Sequence, residues 1–250
     1  MILASNPKYS LMPFSKALDI VRKDFDGWEF LAEKYHSWEF RDQIEDHLST
    51  VDMEIQIHSP LNDVNIASIN PTMREASIKE IEKTLKLANK IDVQMVTVHP
   101  GIYSPLSIYW DKTAKTAIDS LNKIRRKGEE FGVTVAMENL PEMWLALCST
   151  PEETRDFLKE TDLDFCLDVG HAYTSGTLKE FLEFEPVNLH LHDNVGEEDK
   201  HLALGEGEID FKMILNSLKD YKGNYVIEGR AEDELRKSKK FLEELLTEIK

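Results

Sequence analysis

Nine side chains of the kinds that bind metal ions recur where the chain leaves one apolar run after another: His58, His99, Glu138, Asp168, His171, His190, Asp199, His201 and Glu228. Seven of them lie inside or just past short apolar runs, as in IQIHSP, VTVHPG, VAMENLP, FCLDVGHAY, LHLHDN and YVIEGR. Imidazole and carboxylate in this mixture suit zinc, manganese or iron. A lone histidine at a strand end is more often a hydrogen-bonded core residue than a ligand, and a buried acid can pair with Lys or Arg instead. Here that coincidence would have to repeat at strand end after strand end. Five histidines and four acids gathered without a metal would leave several buried charges unpaired, so the set points to a divalent-metal site. Asp168 and His171 are three apart in DVGH, His190 and Asp193 form HxxD, and Asp199 and His201 form DxH in the following loop. His190 and His192 fall on one face of a strand, and spacing leaves open which is the ligand and which its neighbour. His36 and His47 are expected outside the set, on a polar second helix.

Such a site needs rigid elements that end at one place. Strand-like runs are expected at residues 2–5, 27–32, 54–58, 95–99, 134–138, 165–168, 188–192 and 225–228, short and apolar as strands buried on both faces should be. Helix-period stretches separate them. In residues 73–90, Ile78, Ile81, Leu85 and Ala88 share a face, and residues 113–131 carry Ala117, Leu121 and Ile124 in the same way. Thr150-Pro151-Glu152-Glu153 reads as a helix start, with an N-cap, a proline at the first helical position and acids in the first turn. Residues 231–250 read as a closing helix with a solvated face. Eight strand–helix alternations favour a parallel (β/α)8 TIM barrel over a doubly wound sheet. The 250 residues are expected to form a single domain, a normal length for that barrel. A barrel of this kind gathers the C-terminal ends of its strands into one bowl.

The net charge of −17 opposes a broad grip on nucleic acid. It leaves room for a local phosphate site, because bound metal ions would reverse the charge there. Cys148 and Cys166 are too few for a disulfide scaffold and form no CxxC pair; Cys166 reads as a small core residue. No run approaches about 18 apolar residues, so no membrane span is expected, and the N-terminal MILASNPKYSLMPF lacks the features of a signal peptide. The expectation is a cytoplasmic protein.

The segments HSP, VTVHPG, MENLP, LDVGHAY, HLHDN, DKHLALGEGEIDF and VIEGR resemble the xylose isomerase-like TIM-barrel superfamily, which includes endonuclease IV and many sugar isomerases and epimerases. The resemblance is clearest from Glu54 to Arg230 and favours His190 over His192 as the ligand. It implies one of two chemistries. In the endonuclease IV branch, the nine residues named at the outset hold three zinc ions, and four carboxylates against three dications leave a formally positive centre suited to a phosphodiester. A hydroxide held by Glu138 then attacks phosphorus. In the isomerase branch, Glu138, Asp168, His190 and Glu228 hold one zinc or manganese ion, and the formally negative centre suits a neutral sugar. Glu138 and Glu228 then act as the base and acid that move a proton next to a carbonyl, and His171 binds a substrate oxygen.

The departures from the family pattern weigh on this choice. A Tyr usual in endonuclease IV after the first His-x-Pro is Leu61 here, and that branch's DNA-entering loop near the second strand is replaced by AEKYHSW. The Arg that family epimerases carry after HxxD/E is absent, with Gly196 and Glu197 in its place. Tyr103, Tyr109, Trp110 and Trp144 follow strand ends, where aromatics either stack on a sugar ring or pack on neighbouring helices. LGEGEIDF has the look of a phosphate loop, but its expected job is to turn the chain into a helix capped by Asp210. The leading expectation is a metal-dependent sugar or sugar-phosphate isomerase or epimerase with a small-molecule substrate. The alternative is a zinc phosphodiesterase acting on abasic DNA, the only case with a nucleic-acid partner. A metal-stabilised binding barrel without catalysis ranks third.

Overall fold

The apolar runs pair side by side into a closed ring. In this computed structural model, which describes residues 1–107 and 112–249, the strands are Ile2–Ser5 (β1), Gly27–Leu31 (β2), Glu54–His58 (β3), Met95–Val98 (β4), Thr134–Glu138 (β5), Asp164–Asp168 (β6), Asn188–Leu191 (β7), Asp193–Val195 (β8), Glu198–Leu202 (β9) and Asn224–Glu228 (β10). Eight of them close a barrel in the order β1-β10-β7-β6-β5-β4-β3-β2, every pair parallel. The helices are Phe14–Val21 (α1), Arg41–Leu48 (α2), Pro71–Lys90 (α3), Thr113–Phe131 (α4), Pro151–Thr161 (α5), Val169–Thr174 (α6), Leu178–Phe181 (α7), Phe211–Ser217 (α8) and Glu232–Ile249 (α9). None of these helices is long and apolar enough to cross a membrane. The TIM barrel expected from the alternation is the fold observed.

Side chains alternate in and out along each strand, and the alternation sorts structure from chemistry. On β2, Trp28 and Phe30 point outward against Phe14 of α1, while Glu29 between them points into the barrel and is fully buried. On β7, Leu189 and Leu191 belong to the hydrophobic core, and Asn188 and His190 face inward. Parallel register then brings the strand ends level: Leu31 pairs with His58, His58 with Thr97, Asp168 with His190 and Ser5 with Glu228.

Helix starts follow local chemistry. Asn70 accepts hydrogen bonds from the amides of Thr72 and Met73 ahead of α3, Thr150 from Glu153 ahead of α5, and Asp210 from Met213 ahead of α8; with Pro71 and Pro151 at the first helical positions, these satisfy amides that the helices leave unpaired. The LGEGEIDF stretch does turn the chain into α8, as expected.

Two readings change. The segment carrying Asp199 and His201 is an antiparallel ribbon, β8 with β9, rather than a loop; its mostly polar residues lack the alternation that marks a strand. His47 lies on α2 as expected, but His36 precedes that helix in a short 3-10 turn. It is fully buried and packs edge-on to Phe14, Trp28 and Phe30. Neither of its nitrogens has a hydrogen bond of normal geometry.

Burial pushes the His36 pKa down to about 4, against a smaller opposing effect of the Met12 backbone. The folded protein therefore binds this proton less readily than the unfolded chain. The stability contributed by neutral His36 is fully present above pH 6.5 and declines as pH falls towards 4, by ~3 kcal/mol at most. His36→Leu is expected to remove this dependence. Denaturant unfolding of both proteins from pH 7.5 to 4 should show the variant gaining on the wild type through that window, and a constant difference would disprove the assignment.

Candidate metal centre

Glu138, at the end of β5, is the hub of the bowl and is only 1% exposed. Its Oε2 lies 3.1 Å from His58 Nε2, 3.4 Å from His99 Nε2 and 3.6 Å from His190 Nδ1, and its Oε1 lies 3.3 Å from His171 Nδ1. Four imidazoles from four elements thus converge on one carboxylate. Glu228, at the end of β10, sits 3.1 Å from His190 Nδ1 and 3.4 Å from His201 Nδ1. Asp168 caps α6 by accepting the His171 amide at 2.7 Å, and its other oxygen is 3.6 Å from His171 Nδ1. Asp199 on β9 lies 3.2 Å from His201 Nε2 and 3.7 Å from His171 Nε2. All nine residues singled out in the sequence belong to one connected cluster.

Backbone oxygens orient several rings. His58 Nδ1 is 2.8 Å from Ser59 O, which turns Nε2 towards Glu138, and His171 Nδ1 is 2.9 Å from Asn139 O, which leaves Nε2 facing Asp199. Asn139 also donates to Asp168 O and accepts the Asp168 amide, locking the ends of β5 and β6 together. His201 adopts a left-handed backbone (φ 51°), uncommon for a residue with a side chain and frequent where a site holds a residue in place.

The electrostatics fit divalent cations. Among the described residues, no Lys or Arg comes within ion-pair distance of Glu29, Glu138, Asp168, Asp199 or Glu228; histidines are their only ion-pair partners. Burial opposes the charge on Glu138, yet His190, His99 and His171 hold its pKa well below the usual carboxylate range, and Glu228 is held down likewise by His190 and His201. Burial would depress His58 and His171, but Glu138 with Glu29 pushes the first up to about 9, and Asp168, Glu138 and Asp199 push the second up to about 10. Asp168 Oδ2, Asp199 Oδ1 and His190 Nδ1 are buried without a hydrogen-bond partner, as expected of donor atoms aimed at a cation. Within each of three subsets, His58–His99–Glu138, Glu29–His190–Glu228 and His171–His192–Asp199–His201, the ligand atoms lie within 4.8 Å of one another.

Glu29 was not anticipated from the sequence. Its Oε1 is 2.8 Å from His190 Nε2, and its Oε2 accepts from Asn188 Nδ2 at 2.9 Å. His190 therefore presents Nδ1 to the bowl and keeps Nε2 on a buried acid, an arrangement that orients a metal-bound imidazole and strengthens it as a ligand. The signal was a lone charge in the apolar run GWEFL. Asp193 of the HxxD pair has a different job: its carboxylate accepts the amides of Gly205, Gly207 and Ile209 and shapes the loop before α8. A Cβ on Gly207 would fall 2.3 Å from Asp193 Oδ1, which explains the glycine.

Above the cluster opens a cavity of about 400 Å³, floored by His58, His99, His171, Asp199, His201 and Glu228. Its rim is apolar at Leu31, Leu61, Ile102, Leu140 and Met143, with Asn62 and Arg230 as polar exceptions. Tyr103 packs partly against the core, Trp144 is 74% exposed, and Tyr109 and Trp110 lie outside the described residues.

A parallel barrel whose strand ends carry a histidine–carboxylate bowl defines a class of (β/α)8 proteins. The chain belongs to the xylose isomerase-like TIM barrel family, whose model matches residues 18–245. It is 33% identical over 248 residues to the uncharacterized protein MJ1311 of Methanocaldococcus jannaschii, covering 91% of this chain and 82% of that protein. It is 25% identical over 224 residues to a probable endonuclease 4 of Halothermothrix orenii, covering 80% and 78% respectively. Among solved structures it resembles a D-tagatose 3-epimerase-like protein with a TM-score of 0.92 and 29% identity over 99% of this chain and 97% of that one. The relatives thus include a D-tagatose 3-epimerase-like protein and probable endonuclease 4 proteins, and this is a family of enzymes.

Glu29→Gln keeps the size of the side chain and removes the charge behind His190. It is expected to weaken divalent-metal binding by about 10- to 100-fold with circular dichroism unchanged. Calorimetric titration of the stripped protein with Zn²⁺ or Mn²⁺ measures it, and an unchanged affinity would show that Glu29 plays no part in the centre.

Proposed function

We propose that the protein is a divalent-metal-dependent sugar or sugar-phosphate isomerase or epimerase that moves a proton beside a carbonyl with Glu138 and Glu228. The observation that carries this reading is the placement of these two carboxylates. Each approaches His190 Nδ1, at 3.6 and 3.1 Å, and they stand three strands apart around the ring beneath a small cavity. Its volume is that of a pocket for a small molecule. The −17 charge and apolar rim suit a compact polyol better than a polyanionic duplex.

Glu138, Asp168, His190 and Glu228 are the residues that would hold the catalytic ion. When bound, a divalent cation there polarises a carbonyl and the neighbouring hydroxyl and so acidifies the C–H between them. The rest falls to the chain. One glutamate, entering as the carboxylate, takes the proton from carbon, and the electron pair of the broken C–H bond delocalises towards the carbonyl oxygen. The facing glutamate, entering as the carboxylic acid after taking a proton from solvent, gives that proton to carbon and is left as the carboxylate. Return to the opposite face of the same carbon gives an epimer; return to the neighbouring carbon gives an aldose–ketose pair. His171, its Nδ1 held by Asn139 O, directs Nε2 at a substrate oxygen. The apolar rim excludes water that would otherwise compete for the proton.

The test is solvent exchange. With Mn²⁺ or Zn²⁺ in D₂O and a panel of ketoses, aldoses and their phosphates, at least one substrate is expected to take up deuterium at carbon. Glu138→Gln and Glu228→Gln should each slow that uptake by about 10²- to 10⁴-fold. No carbon-bound exchange across the panel would sink the reading. A second reading, a zinc phosphodiesterase acting at abasic sites, is favoured by one observation: His58, His99, Asp199 and His201 join the same bowl, giving more donors than one ion takes. Chelator-sensitive nicking of abasic duplex DNA would establish it in place of the first.

A further inference from the structure

One acid beside the cavity belongs to neither the bowl nor the proposed reaction. Glu33 stands two residues past β2, where Leu31 pairs with His58 and the Ala32 amide donates to His58 O at 2.9 Å. That register sets it against the loop after β3. Its Oε1 accepts the backbone amides of Leu61 and Asn62, each at 2.7 Å, and its Oε2 accepts Asn62 Nδ2 at 2.7 Å. These three N–H groups are the only partners of its side chain among the described residues. We propose that Asn62 reads a hydroxyl group of the substrate through its carboxamide oxygen, and that Glu33 is the positioning residue that holds the carboxamide in that orientation.

A carboxamide has a donor end and an acceptor end, and Glu33 decides which one the cavity meets. Nδ2 is spent on the carboxylate, so the group that Asn62 has left to offer is Oδ1. Donation to a charged oxygen also polarises the amide and strengthens Oδ1 as an acceptor. Asn62 lines the same cavity as His58, His99 and Glu228. A sugar whose reacting carbons lie over Glu138 and Glu228 therefore extends its remaining hydroxyls towards this rim. Most of the rim is apolar, and a hydroxyl that leaves water there needs a polar partner. Asn62 supplies it on the β3 side.

The competing role for Glu33 is to pin the loop and no more. Pinning is the work of Oε1, which takes both backbone amides. The second oxygen goes to the side chain of a residue that is exposed and lines the cavity, where holding a carboxamide still costs rotamer freedom. An acceptor fixed in advance recovers that cost when a hydroxyl binds to it. The inference rests on the proposed reaction and adds to it a group that reads the substrate away from the reacting carbons.

The experiment follows deuterium uptake by the metal-loaded wild type, Glu33→Gln and Asn62→Ala. The probes are the sugar of the panel that exchanges fastest and its analogues in which each hydroxyl away from the reacting carbons is replaced in turn by hydrogen or by fluorine, which cannot donate. In the wild type, one such hydroxyl should be preferred over both replacements by about 3- to 10-fold in kcat/KM. In Glu33→Gln an amide nitrogen takes the place of Oε2, so Asn62 turns its carboxamide over and presents Nδ2; the preference for hydroxyl over fluorine should fall. In Asn62→Ala the preference over hydrogen should fall towards one. The inductive effect of fluorine is common to the three proteins, and a general loss of stability scales every analogue alike, so neither moves these comparisons. Exchange by the wild type with the same preferences in both variants, or with none in the wild type, overturns the proposal and leaves the reaction standing. A wild type that exchanges no sugar overturns both. Should Glu33→Gln fail to fold, Asn62→Ala and the ¹⁵N-labelled wild type decide it: an Asn62 Nδ2 proton should lie downfield and exchange slowly with water, and the signal of a free carboxamide refutes the role of Glu33.

Discussion

The interaction on which the rest depends is the approach of four imidazoles to the Glu138 carboxylate. A carboxylate excluded from water costs several kcal/mol unless a counter-charge and hydrogen bonds compensate, and among the described residues no Lys or Arg lies within ion-pair distance. Four further acids, Glu29, Asp168, Asp199 and Glu228, share the same surroundings. Histidines alone compensate them, and histidine carries its charge conditionally. Much of the surrounding architecture keeps these rings in register: the Ser59 and Asn139 carbonyls, the Asp168 cap and the buried Glu29 behind His190. The barrel thus encloses a negative centre that the protein's own charges neutralise only in part, a balance that a divalent cation would complete.

Most of the barrel was legible because its strands carry short apolar runs, the long helices α3 and α4 carry a 3.6-residue stripe, and α5 and α8 have recognisable starts. Seven of the nine ligand candidates were legible for a related reason: a polar, metal-binding side chain in or just past an apolar run marks the end of a strand that points into the bowl, whereas Asp199 and His201 were marked only by their DxH spacing and the family resemblance. What escaped had no such mark. The ribbon of β8 and β9 is polar and half-exposed, so no alternation announces it. Glu29 sits inside GWEFL, where two aromatics on the outer face hid an acid on the inner one. His36 was assigned to a polar helix because its neighbours in sequence are polar, yet tertiary packing places it among Phe14, Trp28 and Phe30. Asp193 shared the spacing of a ligand motif, but its oxygens are taken by three loop amides that only the folded chain brings to it.

Family membership narrows the chemistry to two kinds without choosing between them, because a fold specifies where a site lies and the surroundings specify what it accepts. Here the surroundings are a small cavity, an apolar rim and a single rim arginine. The donor set is richer than a proton-transfer enzyme with one ion needs.

The closure of β1 between β10 and β2 has a consequence for how the molecule is made. The bowl draws on residues from His58 to Glu228, so its parts emerge from synthesis in sequence and Glu228 comes last. Until β10 docks beside β1, the ring is open and His190 and His201 lack the Glu228 carboxylate. Long-range closure of this kind is late and slow in folding. Capture of an ion by the bowl would then be tied to completion of the chain: a truncated or partly folded copy presents scattered weak donors, and only the finished ring brings them together.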